Sequence, residues 1–203
     1  PSTQSECERI EEAFGRSNVV KLLGEQATER NVLAELPRAR WIHLAAHGLV
    51  DESAENLYGA IALTPPASGS ANSDEDGFLS YSEILNLPLS HCELAVLSAC
   101  ETNVGPTRPL EAGTSLAQAF LAAGAHRVIA SHWTVSDDST AELMATFFEG
   151  VATSQKMDSN SATAMPVIDY AASLQKARRH LRSTSRWSAP YFWAPFILVG
   201  PSR

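Results

Sequence analysis

Two side chains of the sequence are equipped to act together on a carbonyl group, the imidazole of His47 and the thiol of Cys100. A free thiol is mostly protonated at neutral pH. A nearby imidazole that takes its proton, or an imidazolium that stabilises the thiolate, turns it into an attacking group. Gly48, directly after the histidine, has no Cβ, so its backbone can approach a bound carbonyl. Its N–H, together with that of Cys100, is able to hold a developing oxyanion. Spacing alone also admits a plainer reading, with Cys100 a small buried hydrophobe and His47 a satisfied polar residue at a strand end. A metal is the other competitor, since His43, His47, His91 and Cys92 are all possible ligands. No C-x-x-C pair is present and His43 and His47 lie in a strand-like run, so no metal site is expected. Cys92 reads as a bystander in a turn, and Cys7 as part of a loose N-terminal segment.

The elements around these residues explain how they could meet. Trp41 to Ala46 is a nearly continuous apolar run ended by His47-Gly48, and Glu93 to Ala99 is a second one ended by Cys100. Both read as strands buried on both faces. In open α/β sheets, ligands gather outside the carboxyl ends of the strands, so neighbouring strands would bring imidazole and thiol to one crevice. Residues 111 to 124 carry Leu116, Phe120 and Leu121 at helical spacing and close at Gly124, and Arg127 to Ser131 is a third strand. Strand, helix, strand implies a parallel crossover. A helix is expected over 28 to 36, capped by Thr28 and stopped by Pro37, and another behind the capping box Ser80-Tyr81-Ser82-Glu83. Tyr58 to Leu63 and Gly77 to Leu79 read as short strands. A helix begins near Ser136 or Asp137 with Leu143, Met144, Phe147 and Phe148 apolar, Tyr170 to Leu181 is a basic amphipathic helix, and Pro195 to Val199 is a last strand. The stretches 64 to 76 and 151 to 166 read as mobile polar loops. The class is α/β with a mainly parallel central sheet flanked by helices.

Composition narrows the function. With 203 residues, 44% hydrophobic and 19% charged, the chain is long and apolar enough for one folded domain, and two are not required. The net charge of −8 disfavours direct nucleic-acid binding. No apolar stretch reaches the ~20 residues of a membrane helix. Three cysteines without redox or metal spacing, and an acidic N-terminus unlike a secretory signal, point to the cytoplasm. A first residue other than Met suggests a piece of a longer protein.

Four stretches carry a family resemblance: LLGEQATERNVLAELPRARWIHLAAHG (22 to 48), ELAVLSACET (93 to 102), LEAGTSLAQAFLAAGAHRVIASHWTVSDDSTAELM (110 to 144) and APYFWAPFILVG (189 to 200). Together they resemble a CHAT domain, the caspase-like domain associated with tetratricopeptide repeats. The likeness runs from about residue 19 to residue 200, which sets the expected domain at 19 to 203 and leaves 1 to 18 as an N-terminal flanking segment. It implies a caspase-hemoglobinase-like three-layer sandwich and a cysteine endopeptidase of the clan of caspases and separase, without a cofactor. His47 matches the catalytic histidine, Cys100 the nucleophile and Gly48 the oxyanion glycine. Ser131-His132-Trp133 match the substrate-groove strand, and Asp137 lies where separase-like relatives carry an acidic residue in the pocket for the side chain before the cut. Cleavage after Arg or Lys is therefore expected, with Asp137 buried at the pocket's base. Relatives often sit behind repeat domains and are switched on by partners, including in prokaryotic defence and cell death. The expected partners are a protein or peptide substrate and an upstream repeat or regulatory domain or an activating protein. The alternative is a caspase-like interaction module that keeps the fold without cutting. On general grounds Asp137 also fits a helix cap, Trp133 core packing, and the basic helix a solvated face or an interface.

Overall fold

Short apolar segments separated by turn residues become strands, and longer amphipathic ones become helices. The computed structural model describes residues 2–49, 59–66, 75–98, 116–158 and 168–201. In chain order these form α1 (Ser2–Phe14), α2 (Glu29–Glu35), β1 (Trp41–Leu44), β2 (Gly48–Leu49), β3 (Ala60–Ala62), β4 (Phe78–Ser80), α3 (Tyr81–Leu85) and β5 (Leu94–Leu97). Then come α4 (Leu116–Ala122), β6 (Val128–Ser131), α5 (Asp137–Asp158), α6 (Tyr170–Ser183) and β7 (Phe196–Val199). The architecture is mixed α/β with a mostly parallel sheet flanked by helices. The chain divides into two compact units, Leu22–Thr134 and the combination of Pro1–Lys21 with Val135–Arg203.

In the Leu22–Thr134 unit, β1, β5 and β6 lie side by side and parallel, with Leu44 opposite Leu97 and Leu97 opposite Ala130. One face of this sheet carries Ile42, Ala95, Leu97, Val128 and Ala130, which pack against Val32 and Leu36 after α2's start, Ile84 of α3, and Leu116 and Phe120 of α4. That is the period-two pattern of a strand face and the period-3.6 pattern of three helix stripes meeting in one core. β5, the inner strand, is buried throughout, as the sequence predicts. β1 lies at the sheet's edge, so only Ile42 is fully buried, a departure from the expectation of two covered faces. β2, β3 and β4 form a second, antiparallel sheet that sequence alone did not separate from the first.

Local signals are realised closely. The Thr28 side chain accepts the Asn31 N–H at the start of α2, and Ser80 with Glu83 forms the complete capping box of α3. Gly124 turns the chain after α4 at φ +111°, with the backbone of Ser90 only 3.0 Å from where a Cβ would stand.

The other unit departs from expectation in two places. Residues 2–14, read as part of a loose flanking segment, form a helix that packs on α5. Ile10 is buried, the Phe14 ring meets Phe148 edge-on at 6.1 Å, and Arg9 reaches Glu142 at 2.7 Å and Glu149 at 2.8 Å. The polar stretch from Val151 also continues α5 to Asp158 instead of opening into a loop. Val151 and Ala152 are buried one turn beyond Phe147 and Phe148, so the apolar stripe outlasts Gly150. The tips of both expected mobile loops, 67–74 and 159–167, lie outside the described residues. No helix among the described residues is long and apolar enough to cross a membrane.

Candidate functional site

The register of two neighbouring strands fixes where each leaves the sheet. β1 and β5 run parallel with Leu44 facing Leu97, and the Ser98 N–H extends their ladder to the Leu44 carbonyl at 3.0 Å. His47 stands three residues past Leu44, and Cys100 stands three residues past Leu97 in the sequence. Cys100 itself lies outside the described residues. His47 is exposed and held at its backbone, where its carbonyl accepts the Ala62 N–H at 2.8 Å. It thus sits at the junction where the chain leaves the parallel sheet and enters the antiparallel one.

Gly48 begins β2 directly opposite Ile61. Since the neighbouring His47 carbonyl takes the Ala62 N–H, Gly48 and Ile61 are a non-hydrogen-bonded pair of the antiparallel ladder. The Gly48 N–H therefore points away from β3. A donor aimed out of the sheet, next to an exposed imidazole, is a suitable arrangement for an incoming carbonyl oxygen.

On the far side of β5, β6 ends at buried Ser131, followed by exposed His132 and by Trp133, which is 37% exposed. His47, Gly48 and Ser131 to Trp133 thus follow the C-terminal ends of β1 and β6, the two parallel strands that flank β5 in one unit. Asp137 belongs to the other unit. It is the first residue of α5 and solvent-exposed, not buried as expected. The Ser136 carbonyl accepts the Thr140 N–H and the Ser139 hydroxyl, which puts the cap at Ser136 and Asp137 in the first turn, where the helix dipole favours a carboxylate. Asp138 beside it pairs with Arg186 at 2.7 Å.

The other thiols are poorly suited to attack. Burial pushes the Cys92 thiol up to about 12, and burial together with the charge of Glu6 pushes Cys7 up to about 11. His43 lies within β1 opposite Val96. Among the described residues, no group of three or more His, Cys, Asp or Glu is arranged to hold a metal ion.

Sequence reasoning missed a carboxyl pair, one member of it buried, in the same unit. Glu29, at the first turn of α2, is 3% exposed, and its Oε2 accepts the Asp76 N–H at 3.0 Å and the Gly77 N–H at 3.2 Å. Burial, and then a hydrogen bond shared with Glu83, raise the Glu29 carboxyl to about 7. Glu83 is itself fixed by the Ser80 N–H at 2.7 Å and the Ser80 hydroxyl at 2.6 Å. The pair ties the stretch entering β4 to α2. On the other side of that connection, the Thr64 N–H bonds the Ala27 carbonyl at 2.9 Å. The signals in sequence were the Thr28 and Ser80 caps, which each place a glutamate at a helix start.

The family model described as CHAT domain matches residues 1–201. Tetratricopeptide repeat protein 28 of Mus musculus and its counterpart in Homo sapiens are each 24% identical over 232 residues, covering 98% of this chain. The chain spans 8% of the length of these curated relatives.

Proposed function

The chain belongs to the CHAT domain family, a caspase-like family, and we propose that it is a cysteine endopeptidase acting through His47 and Cys100 on a caspase-hemoglobinase-like fold. The observation that carries this is the β1–β5 register, with both residues three positions beyond a matched pair of leucines at the carboxyl ends of adjacent parallel strands. In this reading His47 takes the Cys100 thiol proton as Sγ attacks the scissile carbonyl carbon. The oxyanion is met by the outward N–H of Gly48 and that of Cys100. The proton passes to the leaving amine, and water then releases the acid from the thioester, restoring the thiol. Ser131, His132 and Trp133 line the approach for the peptide. The family resemblance assigns Asp137 a preference for Arg or Lys before the cut, with its carboxylate exposed. Regulation by a repeat domain or an activating partner accords with the tetratricopeptide repeat proteins to which the chain is similar.

Profiling cleavage of a peptide library by the wild-type chain and by Cys100→Ala and His47→Ala variants tests the reading. Each substitution is expected to abolish turnover, and the double variant to lose little more, because residues acting as a unit are not additive. Wild-type turnover by Cys100→Ala would overturn the assignment. A wild-type chain that binds peptides without cutting them under activating conditions would leave the interaction-module reading in its place.

A further inference from the structure

The charges of this chain are strongly segregated. From Tyr170 to the end there are six basic residues and no acidic one, whereas the first 169 residues carry nine basic against 23 acidic residues, a net of −14. Four of the six lie on α6. Lys176, Arg179 and Arg182 are exposed, and their side chains form no ion pair among the described residues. They are spaced three residues apart, so they form a slanting stripe along one side of the helix. Nearby, His180 meets Glu142 at 2.8 Å and Arg186 meets Asp138 at 2.7 Å.

Arg178 marks this helix as more than a solvated face. It is half-buried, its Nη2 donates to the Phe196 carbonyl, its Nε is buried without a hydrogen-bond partner, and no carboxylate of the described residues pairs with it. Burial lowers the stability of its charged form. A cation held this way, without a counter-charge among the described residues, is a cost that an arriving carboxylate would offset. It stands one turn from Arg182 on the same helix, so one anionic segment is able to span both.

We propose that the α6 surface formed by Lys176, Arg178, Arg179 and Arg182 docks an acidic segment of a partner protein. The charge distribution selects that occupant. A short acidic peptide contacts only the basic face, whereas a long polyanion such as nucleic acid would also meet the field of a chain whose remainder carries −14. The surface lies outside the groups assigned to cleavage, so it serves recruitment and does not depend on the peptidase reading.

Fluorescence anisotropy with the full chain tests this, using a labelled peptide of about twelve residues rich in Asp and Glu, the same peptide with Asn and Gln, and a single-stranded DNA of equal charge. The acidic peptide is expected to bind and to weaken as salt rises, with the amide peptide at least ~10-fold weaker. The exposed triple variant Lys176→Gln, Arg179→Gln, Arg182→Gln should lose at least ~10-fold for the acidic peptide without a change in thermal midpoint. Arg178→Gln should weaken binding further in a variant shown to be folded by circular dichroism. Absence of binding, equal binding by the triple variant, or DNA bound as tightly as the peptide would each overturn the proposal.

Discussion

Replacing Glu29 with Gln should change how the stability of this protein depends on pH. The Glu29 carboxyl is buried, accepts two backbone N–H groups and shares a hydrogen bond with Glu83, and burial first, then that shared bond, push it up from the ordinary 4.5 to about 7. A carboxyl that holds its proton more tightly folded than unfolded contributes stability while that proton is bound. Between 4.5 and about 7 the unfolded chain has lost the proton and the folded chain keeps it, so stability falls as pH rises through this window and levels off above it. At ~1.4 kcal/mol per pH unit the whole difference corresponds to roughly 3 kcal/mol. Partial screening by solvent and the sharing of the proton with Glu83 reduce the expected change to about 1–2 kcal/mol. The other charges of this region are Asp76, which accepts the Phe78 N–H, and the exposed Arg30–Glu75 pair. The Gln amide oxygen still accepts the Asp76 and Gly77 N–H groups, and its NH₂ donates to Glu83 as the protonated acid does. Urea unfolding of wild type and Glu29→Gln from about pH 5 to pH 8 should show near-equal stability at the acid end and a variant more stable by about 1–2 kcal/mol at the alkaline end. Parallel curves at all pH values would refute the carboxyl pair, and a variant less stable at pH 8 would show that Glu29 is needed as a carboxylate.

Four further outcomes follow from the geometry. Iodoacetamide near neutral pH should modify Cys100 fastest, since the Cys7 and Cys92 thiols are pushed up to about 11 and about 12; peptide mapping that finds Cys92 labelled first would contradict the nucleophile. Gly77→Ala should destabilise by about 2 kcal/mol or more, because φ is +83° and the new Cβ would stand 2.9 Å from Pro65 Cα. Gly24→Ala, with φ +53° and nothing within 4 Å, should cost about 1 kcal/mol, and equal thermal midpoints for the two would refute the clash. Arg9→Ala should lose about 1 kcal/mol of stability at low salt and less in 1 M NaCl, because its contacts to Glu142 and Glu149 are partly solvated; a loss independent of salt would assign Arg9 a packing role. Asp137→Ala should lower turnover of Arg and Lys peptides by less than ~10-fold, as befits an exposed charge, while sparing Leu peptides; equal losses on all peptides would mean that it supports α5 instead.

Much of the fold was legible because its signals are local. The Thr28 cap, the Ser80–Glu83 capping box and the apolar runs of β5 and β6 each act within a few residues, and each is realised where the sequence puts it. What was missed depends on partners far along the chain. Cys7, Ile10 and Phe14 are spaced as a helical stripe, but acidic neighbours dilute it, and α1 packs chiefly on α5, more than a hundred residues later. Gly150 interrupts the composition of α5 without interrupting the helix, since it lies against α6, where the Ser173 hydroxyl is 3.5 Å from its would-be Cβ. Glu29 and Glu83 looked like two independent helix starts until tertiary packing joined them. The candidate site follows the same division. Each strand end could be read in isolation, but their alignment is a matter of register, and register is set by the core. Ile42, Ala95 and Leu97 share the buried face, so slipping β1 against β5 by one residue would turn that face outward as well as separate the two exits. The same apolar contacts that stabilise the sheet therefore hold the exits of β1 and β5 level, and a substitution that preserves that face preserves the alignment on which the proposed pairing of His47 with Cys100 rests.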